Sequence, residues 1–454
     1  MQKIIAKYAL TQGGWKANVE ISIENGRIAV IRPVSANVLP TVGLALPAPM
    51  NLHSHSFQRA MSGLTEGRGP ESCDSFWTWR RLMYRFLDQL TPDQIQAIAA
   101  QVFLEMLEAG YSSVTEFHYL HHDAGGIPYA KLGELSERIV AAAKDVGIGL
   151  TLLPVLYQFG GLDKRPLSGG QQRFGNNPDQ FSRLFESAAE AVMSGPADFV
   201  IGVAPHSLRA VDRTGLELAI SLAKDGPIHM HLAEQVAEVE EVQGLLKARP
   251  AEWLLDNYEV DLHWCLIHCT QMTFKETQAL ASSGAVAGLC PITEANLGDG
   301  IFNGTQYLSL GGQLGVGSDS NVHITLFDEL KSLEYSQRLR DKSRAALATS
   351  DHSTGRVLFD AAAKGGAKAG GRGSGVLAQG ELADILAIDI ENEWVANRSG
   401  DMALDTLVFG GNGQRCISDV WSAGRHVVKQ GRHVGREQIT RTFIATMAEL
   451  EQDL

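Results

Sequence analysis

Residues 51–59 read NLHSHSFQR, so His53 and His55 stand two apart just after the apolar run GLALPAPM. Side chains alternate faces along a strand, and two histidines at this spacing point the same way from its end. Two imidazoles aimed at one point suit a metal ion, although two polar residues closing a buried strand would have the same spacing. Three later stretches offer the missing ligands: His229-Met-His231-Leu-Ala-Glu234, His268-Cys269 and Gly315-Val-Gly-Ser-Asp319-Ser-Asn321. Three imidazoles and a carboxylate make a nitrogen and oxygen set suited to zinc or a similar divalent ion, with a position left for water. Such an ion lowers the pKa of its water from about 16 to about 7 and makes hydroxide available at neutral pH. Asp319 could touch the ion and take the water's proton. His268 could orient the nucleophile or stabilise charge. Glu234, three residues past His231, is a candidate proton shuttle to a leaving nitrogen.

Something must bring these stretches together. From about residue 43 to 370, short apolar strands alternate with helical periodicity. The strand candidates end at Leu52-His53, Glu116-Phe117-His118, Pro154-Val155-Leu156, Val203-Ala204-Pro205-His206, Met230-His231, Leu266-Ile267-His268, Gly288-Leu289-Cys290 and Gly317-Ser318-Asp319. Between them Pro92–Ala109, Leu132–Val146, Pro178–Ser194 and Phe274–Ser283 have helical patterning. Eight such units predict a (β/α)₈ barrel, whose active site lies at the C-terminal strand ends. Histidines or an aspartate sit at six of the eight ends, and 14 histidines placed at random would rarely fall so.

Both ends of the chain look different from the middle. Ile21–Ile31 alternates around Asn25-Gly26, a two-residue hairpin signal. Asp384–Asp389 and Val420–Arg432 also have strand patterning, with a turn at Gln430-Gly431. Ala361–Gly380 holds seven glycines but no Gly-Lys-Ser/Thr at phosphate-loop spacing, so it reads as the last barrel helix and an exit into a small β domain. Arg436–Leu454 reads as an amphipathic helix.

The bulk numbers narrow the function. The chain has 454 residues, is 44% hydrophobic and carries a net charge of -13, which disfavours nucleic acid or an anionic membrane as a partner. No apolar run reaches the roughly 18 residues of a membrane helix, and the N-terminus lacks a signal peptide's apolar core. Five cysteines (Cys73, Cys265, Cys269, Cys290 and Cys416) are a sparse, odd set that fits a reducing cytoplasm. Cys265 and Cys269 with His263 and His268 match no common structural zinc spacing and read as buried cysteines.

Taken in order, the His-x-His, the His-x-x-Glu, the later histidine and the Gly-Ser-Asp-Ser aspartate resemble the amidohydrolase superfamily, specifically its deaminase branch. The resemblance spans nearly the whole chain. It implies an α/β fold, a distorted (β/α)₈ TIM barrel with a small β-sandwich domain formed by both termini. On that reading residues 1–48 and 373–454 form the small domain and 49–372 the metal-dependent barrel. It implies His53, His55, His231 and Asp319 as metal ligands, with Glu234, His268 and Asp319 catalytic. His229 stays open, because it could face the same way as His231. Two-metal members carry a bridging lysine near the fourth strand end; here that end, Phe199–Arg209, has none, so one divalent ion per subunit is expected, zinc before iron or manganese.

The stretches Asn51–Met61, Asp74–Arg80, Leu82–Arg85, Glu116–Asp123 and Ala204–Arg209 resemble, more narrowly, the branch members that hydrolyse the formimino group of N-formimidoyl-L-glutamate in bacterial histidine degradation. This implies a cytoplasmic homodimer acting on a small dicarboxylate, with N-formyl-L-glutamate and ammonia as products. Gln58, Arg80, Tyr119, His206 and Arg209 would hold the substrate, arginine's planar fork suiting carboxylates. Arg80 and Arg81 could equally lie on a solvated helix, and Ser62–Ser75 could be a lid or an ordinary loop. The rival readings are a deaminase of heterocyclic amidines, which would not need paired arginines, and a non-catalytic barrel scaffold, which would be expected to lose the ligands present here.

Overall fold

The computed structural model describes residues 2–64, 66, 83 and 86–453. The chain opens on three antiparallel strands, Gln2–Thr11, Gly14–Glu24 and Arg27–Pro33. Asn25 (φ 48°) and Gly26 (φ 77°) make the second turn, both left-handed as a two-residue hairpin of this type requires. Val42–Pro47 then pairs parallel to the first strand and antiparallel to Ile385–Ile388, which draws the C-terminal strands into the same sheet. Ile417–Ser422, Arg425–Lys429 and Arg432–His433 complete it. Gln430 and Gly431 turn as the sequence suggested, but Ala423-Gly424 makes a further left-handed turn inside the stretch read as one run.

All eight strands hydrogen-bond in one path. Both ends of the chain contribute strands to this one sheet. Ile28 donates to the Glu381 carbonyl at 2.9 Å, which joins the Arg27–Pro33 edge to the approach of Ile385–Ile388. Ile4, Ile21, Ile28, Val42, Ile385 and Trp421 form the core inside it, separate from that of the barrel.

The barrel strands are Met50–Ser54, Ser113–His118, Gly149–Leu156, the split pair Val200–Ile201 and Ala204–Pro205, Ile228–Leu232, Trp264–His268, Val286–Leu289 and Gln313–Val316. Neighbours pair in parallel. Two bridges close the ring, Val203 with Ile228 and Ser54 with Asp319. The fourth strand breaks because its backbone changes partner: Gly202 N donates to Leu152 on the third strand, whereas Val203 N donates to Pro227 beside the fifth. Helices Pro92–Glu108, Glu134–Val146, Pro178–Met193 and Phe274–Ser283 lie within two residues of their expected limits. Thr91, Asn177 and Thr273 accept from the first turn of their helices, and a proline at the first helical position starts two of them.

The two regions are fastened by a buried cluster. Arg372 bonds Asp198 and Asp384 at 3.2 Å each, and Arg425 meets Asp198 at 2.7 Å. The closing helix Arg436–Asp453 packs on Pro92–Glu108, with Thr440 donating to Gln101 at 3.1 Å and Arg436 paired to Glu108.

The glycines of Ala361–Gly380 have a packing role. Helix Thr354–Ala369 lies directly against the eighth strand, and a Cβ on Gly365 would fall 1.9 Å from the Leu314 carbonyl oxygen. Gly315 is also tight, a Cβ there falling 2.4 Å from Leu52 Cδ2 and 2.9 Å from Gly366 N. Gly365→Ala must therefore push the helix off the strand that ends at Asp319, at a cost of about 3 kcal/mol. Its denaturant midpoint should fall clearly below that of the parent chain; an unchanged midpoint would contradict this contact.

Candidate active site

Four strand ends deliver the residues that could hold a cation. His53 and His55 come from the first, His231 from the fifth, His268 from the sixth and Asp319 from the eighth, and all are buried. His53 Nε2 lies 3.1 Å from His231 Nε2 and 3.5 Å from Asp319 Oδ1. His55 Nε2 lies 3.2 Å from the same oxygen. The possible ligand atoms of His53, His55 and His231 fall within 4.8 Å of one another, as do those of His53, His268 and Asp319.

The chemistry of these donors fits a divalent ion. His55 Nδ1 donates to the Phe117 carbonyl at 3.0 Å, which leaves the Nε2 lone pair facing the cluster. Burial lowers His53 to about 3, and likewise draws His55 and His231 below the ordinary histidine range. Neutral imidazoles are the form that coordinates. Burial alone would raise the Asp319 carboxyl, but the hydrogen bond to His53 and the surrounding histidines hold it below the usual range, as carboxylate.

The backbone at these strand ends is held in an uncommon conformation. Ala233, His268, Asp319 and Asn321 have φ of 51°, 71°, 45° and 56°, a region that costs non-glycine residues roughly 1 kcal/mol or more each. Asn321 anchors one side. Its Nδ2 donates to Ser54 Oγ, the His55 carbonyl and the Asp319 carbonyl at 3.0–3.2 Å, and its Oδ1 accepts from Ser318 at 2.6 Å. Asn51 donates to that same Ser318 hydroxyl at 2.6 Å. The first and eighth strand ends are thereby locked in register.

His268 stands among carboxylates. Its Nε2 is 3.8 Å from Asp319 Oδ2 and 3.9 Å from Glu234 Oε1, and its Nδ1 is 3.4 Å from Glu294 Oε1. Burial opposes its charged form, but Glu234, Glu294 and Asp319 together push it up to about 10. Glu294 also accepts from Cys290 N at 2.8 Å, which fixes it at the start of its helix.

A cavity opens over this cluster. Gln58, Tyr119, His206, Arg209 and Glu234 line its polar side. Gln58 Nε2 donates to Tyr119 at 2.7 Å, and Arg209 Nη2 lies 3.6 Å from Glu234 Oε2. His206 Nδ1 meets Ser207 Oγ at 2.9 Å. Of the substrate-holding residues expected from sequence, Gln58, Tyr119, His206 and Arg209 are thus brought together at one cavity. Arg80 lies outside the described residues, as do its neighbour Arg81, Cys73 and most of the Ser62–Ser75 segment.

His229 is directed elsewhere. It lies one layer deeper in the barrel, where its Nε2 donates to the Ala369 carbonyl at 2.8 Å. Cys265, Cys269, Cys290 and Cys416 are buried free thiols, and His263 turns to Asp261, so the alternative cysteine site does not assemble. Sequence reasoning missed Glu294, Thr293 and Ser320, as well as the apolar wall of Met83, Tyr157, Phe174 and Leu297. Glu294 had a usable signal, five residues past the end of the seventh strand. The wall residues had none, since loop aromatics look like ordinary core.

Residues 44–427 match the amidohydrolase family, and residues 1–38 match the N-terminal domain of formimidoylglutamate deiminase HutF. The chain is 47% identical to the formimidoylglutamate deiminase of Pseudomonas aeruginosa, over 99% of this chain and 100% of that one. Among solved structures, an amidohydrolase from Brucella melitensis superposes with a TM-score of 0.95 at 46% identity, covering 99% of this chain and 100% of that one. Atrazine chlorohydrolase from Arthrobacter aurescens, complexed with zinc, shares the fold at a TM-score of 0.83 and 21% identity, over 98% and 100% of the two chains. The chain belongs to the amidohydrolase family, in the branch that carries the formimidoylglutamate deiminase N-terminal domain.

Proposed function

We propose that the chain hydrolyses N-formimidoyl-L-glutamate to N-formyl-L-glutamate and ammonia, a step of histidine degradation. The observation that carries this reading is full-length similarity to a formimidoylglutamate deiminase, joined to a cavity where Arg209, Gln58 and Tyr119 face a His₃Asp cluster. His53, His55, His231 and Asp319 are the ligand set for one divalent ion per subunit. Zinc is the first choice, in line with the zinc-complexed relative of the same fold. A homodimer in the cytoplasm completes the proposal; no helix among the described residues is long and apolar enough to cross a membrane.

When bound, the ion acts as a Lewis acid and renders water nucleophilic at neutral pH. The protein's own groups do the rest. Asp319 takes a proton from the attacking water as it adds to the amidine carbon. His268, placed between Asp319 and Glu234, donates a hydrogen bond that stabilises negative charge developing on the oxygen. Glu234, a carboxylate facing Arg209 in the free site, takes up the other water proton and delivers it to the amidine nitrogen; as the C–N bond breaks and the C=O bond forms, the proton held by Asp319 joins the same nitrogen, which departs as ammonia. Arg209, Gln58, Tyr119 and His206 hold the glutamate portion, with Arg80 assigned to the same task.

The rival is a heterocyclic amidine, such as a guanine-like ring. Assaying ammonia release from N-formimidoyl-L-glutamate beside guanine-type heterocycles separates the two. The proposal expects turnover of the linear dicarboxylate only. Preferential turnover of a ring would overturn it.

A further inference from the structure

Arg173 is completely buried, and among the described residues its side-chain bonds go to neutral oxygens. Nε donates to the His122 carbonyl at 2.7 Å, Nη2 to the Leu90 carbonyl at 3.0 Å and to Tyr129 Oη at 3.5 Å, and Nη1 to the Leu87 carbonyl. Its own carbonyl accepts from His121 N and His122 N, both at 3.0 Å. The acidic groups that face it are Asp88 and Asp123, reached across Tyr129 in the second case. Both are exposed, so water screens them. No carboxylate among the described residues bonds this guanidinium, which makes its burial costly, and its field passes through low-dielectric surroundings with little loss.

That charge sits behind one wall of the cavity. Phe174, the next residue, lines it and packs on Tyr119 at 4.6 Å and Tyr157 at 5.6 Å between ring centroids. Met83 lines the same wall, a few positions before Leu87 and Leu90 in the chain. Arg173 therefore ties together three stretches beside this wall, around residues 87–90, 119–123 and 169–176. Among the described lining residues, Arg209 is the only arginine or lysine, and Glu234 faces it at 3.6 Å. Glu234 competes with the substrate for that guanidinium, so a fixed cation behind the wall adds to the pull on a second substrate carboxylate.

We propose that Arg173, without touching the substrate, is a specificity-determining residue whose buried charge favours a dicarboxylate over a monocarboxylate of the same shape. This rests on the substrate reading above. The test compares N-formimidoyl-L-glutamate with N-formimidoyl-L-glutamine, which replaces the side-chain carboxylate by a neutral amide, in the metal-loaded parent and in Arg173→Met and Arg173→Lys. Arg173→Met should raise KM for the glutamate substrate about tenfold more than for the glutamine analogue, with kcat much less changed. Arg173→Lys should keep the parent's preference within about twofold, because it keeps the charge. Equal losses on both substrates in Arg173→Met would overturn the inference, as wall distortion alone would produce them. If Arg173→Met does not fold, Arg173→Lys decides: a retained preference supports the inference and a lost one overturns it. A parent inactive on both compounds would overturn the substrate reading and this inference with it, whereas an active parent with parallel losses overturns this inference alone.

Discussion

Asp319→Asn should lower kcat by roughly 10³-fold or more while the protein remains folded. Asparagine keeps the shape of the side chain, so the register lock around Asn321 stays intact, because it uses the Asp319 carbonyl and not its carboxylate. What is lost is the oxygen that His53 and His55 approach at 3.5 and 3.2 Å, and the group that accepts the water's proton. The amide cannot be protonated in that role and is a weaker ligand. Two readouts follow: steady-state ammonia release, and metal content by atomic spectroscopy after dialysis. Reduced metal with reduced rate would place the loss in binding; full metal with lost rate would place it in proton transfer. Near-normal kcat would sink both assignments.

Glu234→Gln gives the second large effect, a fall in kcat of about 10²–10⁴-fold from loss of the proton donor. KM should stay level or drop. Glu234 Oε2 lies 3.6 Å from Arg209 Nη2 in the free site, and neutralising it releases that guanidinium for the substrate carboxylate. The two parameters should therefore separate, which a generally damaged site would not show. Metal content should match the parent, since Glu234 is outside the proposed ligand set. A KM increase with kcat preserved would mean that Glu234 binds substrate and moves no proton.

Much of this site was legible because strand ends carry chemistry in short, ordered motifs. His53 and His55 at a spacing of two, His231 before Glu234, and Asp319 in its glycine-flanked run each sit where a parallel strand stops, and the barrel brings such ends to one face. Helix limits near Pro92, Pro178 and Phe274 were readable from proline and capping residues, which act locally. Other features depend on tertiary pairing and leave no local trace. Tyr157 and Phe174 line the cavity from loops, but their types are those of any core. The carbonyls of Leu87, Leu90 and His122 meet at Arg173 from distant parts of the chain. His229 shares parity with His231, so spacing could not say that it lies one layer deeper against Ala369. The small domain's strands were recognisable from Asn25-Gly26 and Gln430-Gly431, whereas their union into one sheet depends on the pairing of Val42–Pro47 with Ile385–Ile388.

This chain, we propose, is a metal-dependent hydrolase of a linear dicarboxylate amidine. The most direct test is ammonia release from N-formimidoyl-L-glutamate by zinc-loaded protein, with a chelator-stripped sample and a re-metallated one beside it. The loaded protein should release ammonia rapidly, lose this activity on stripping and regain it when the ion is added back. No release from protein shown to carry one equivalent of metal would contradict the substrate, and undiminished release from stripped protein would contradict the role given to His53, His55, His231 and Asp319.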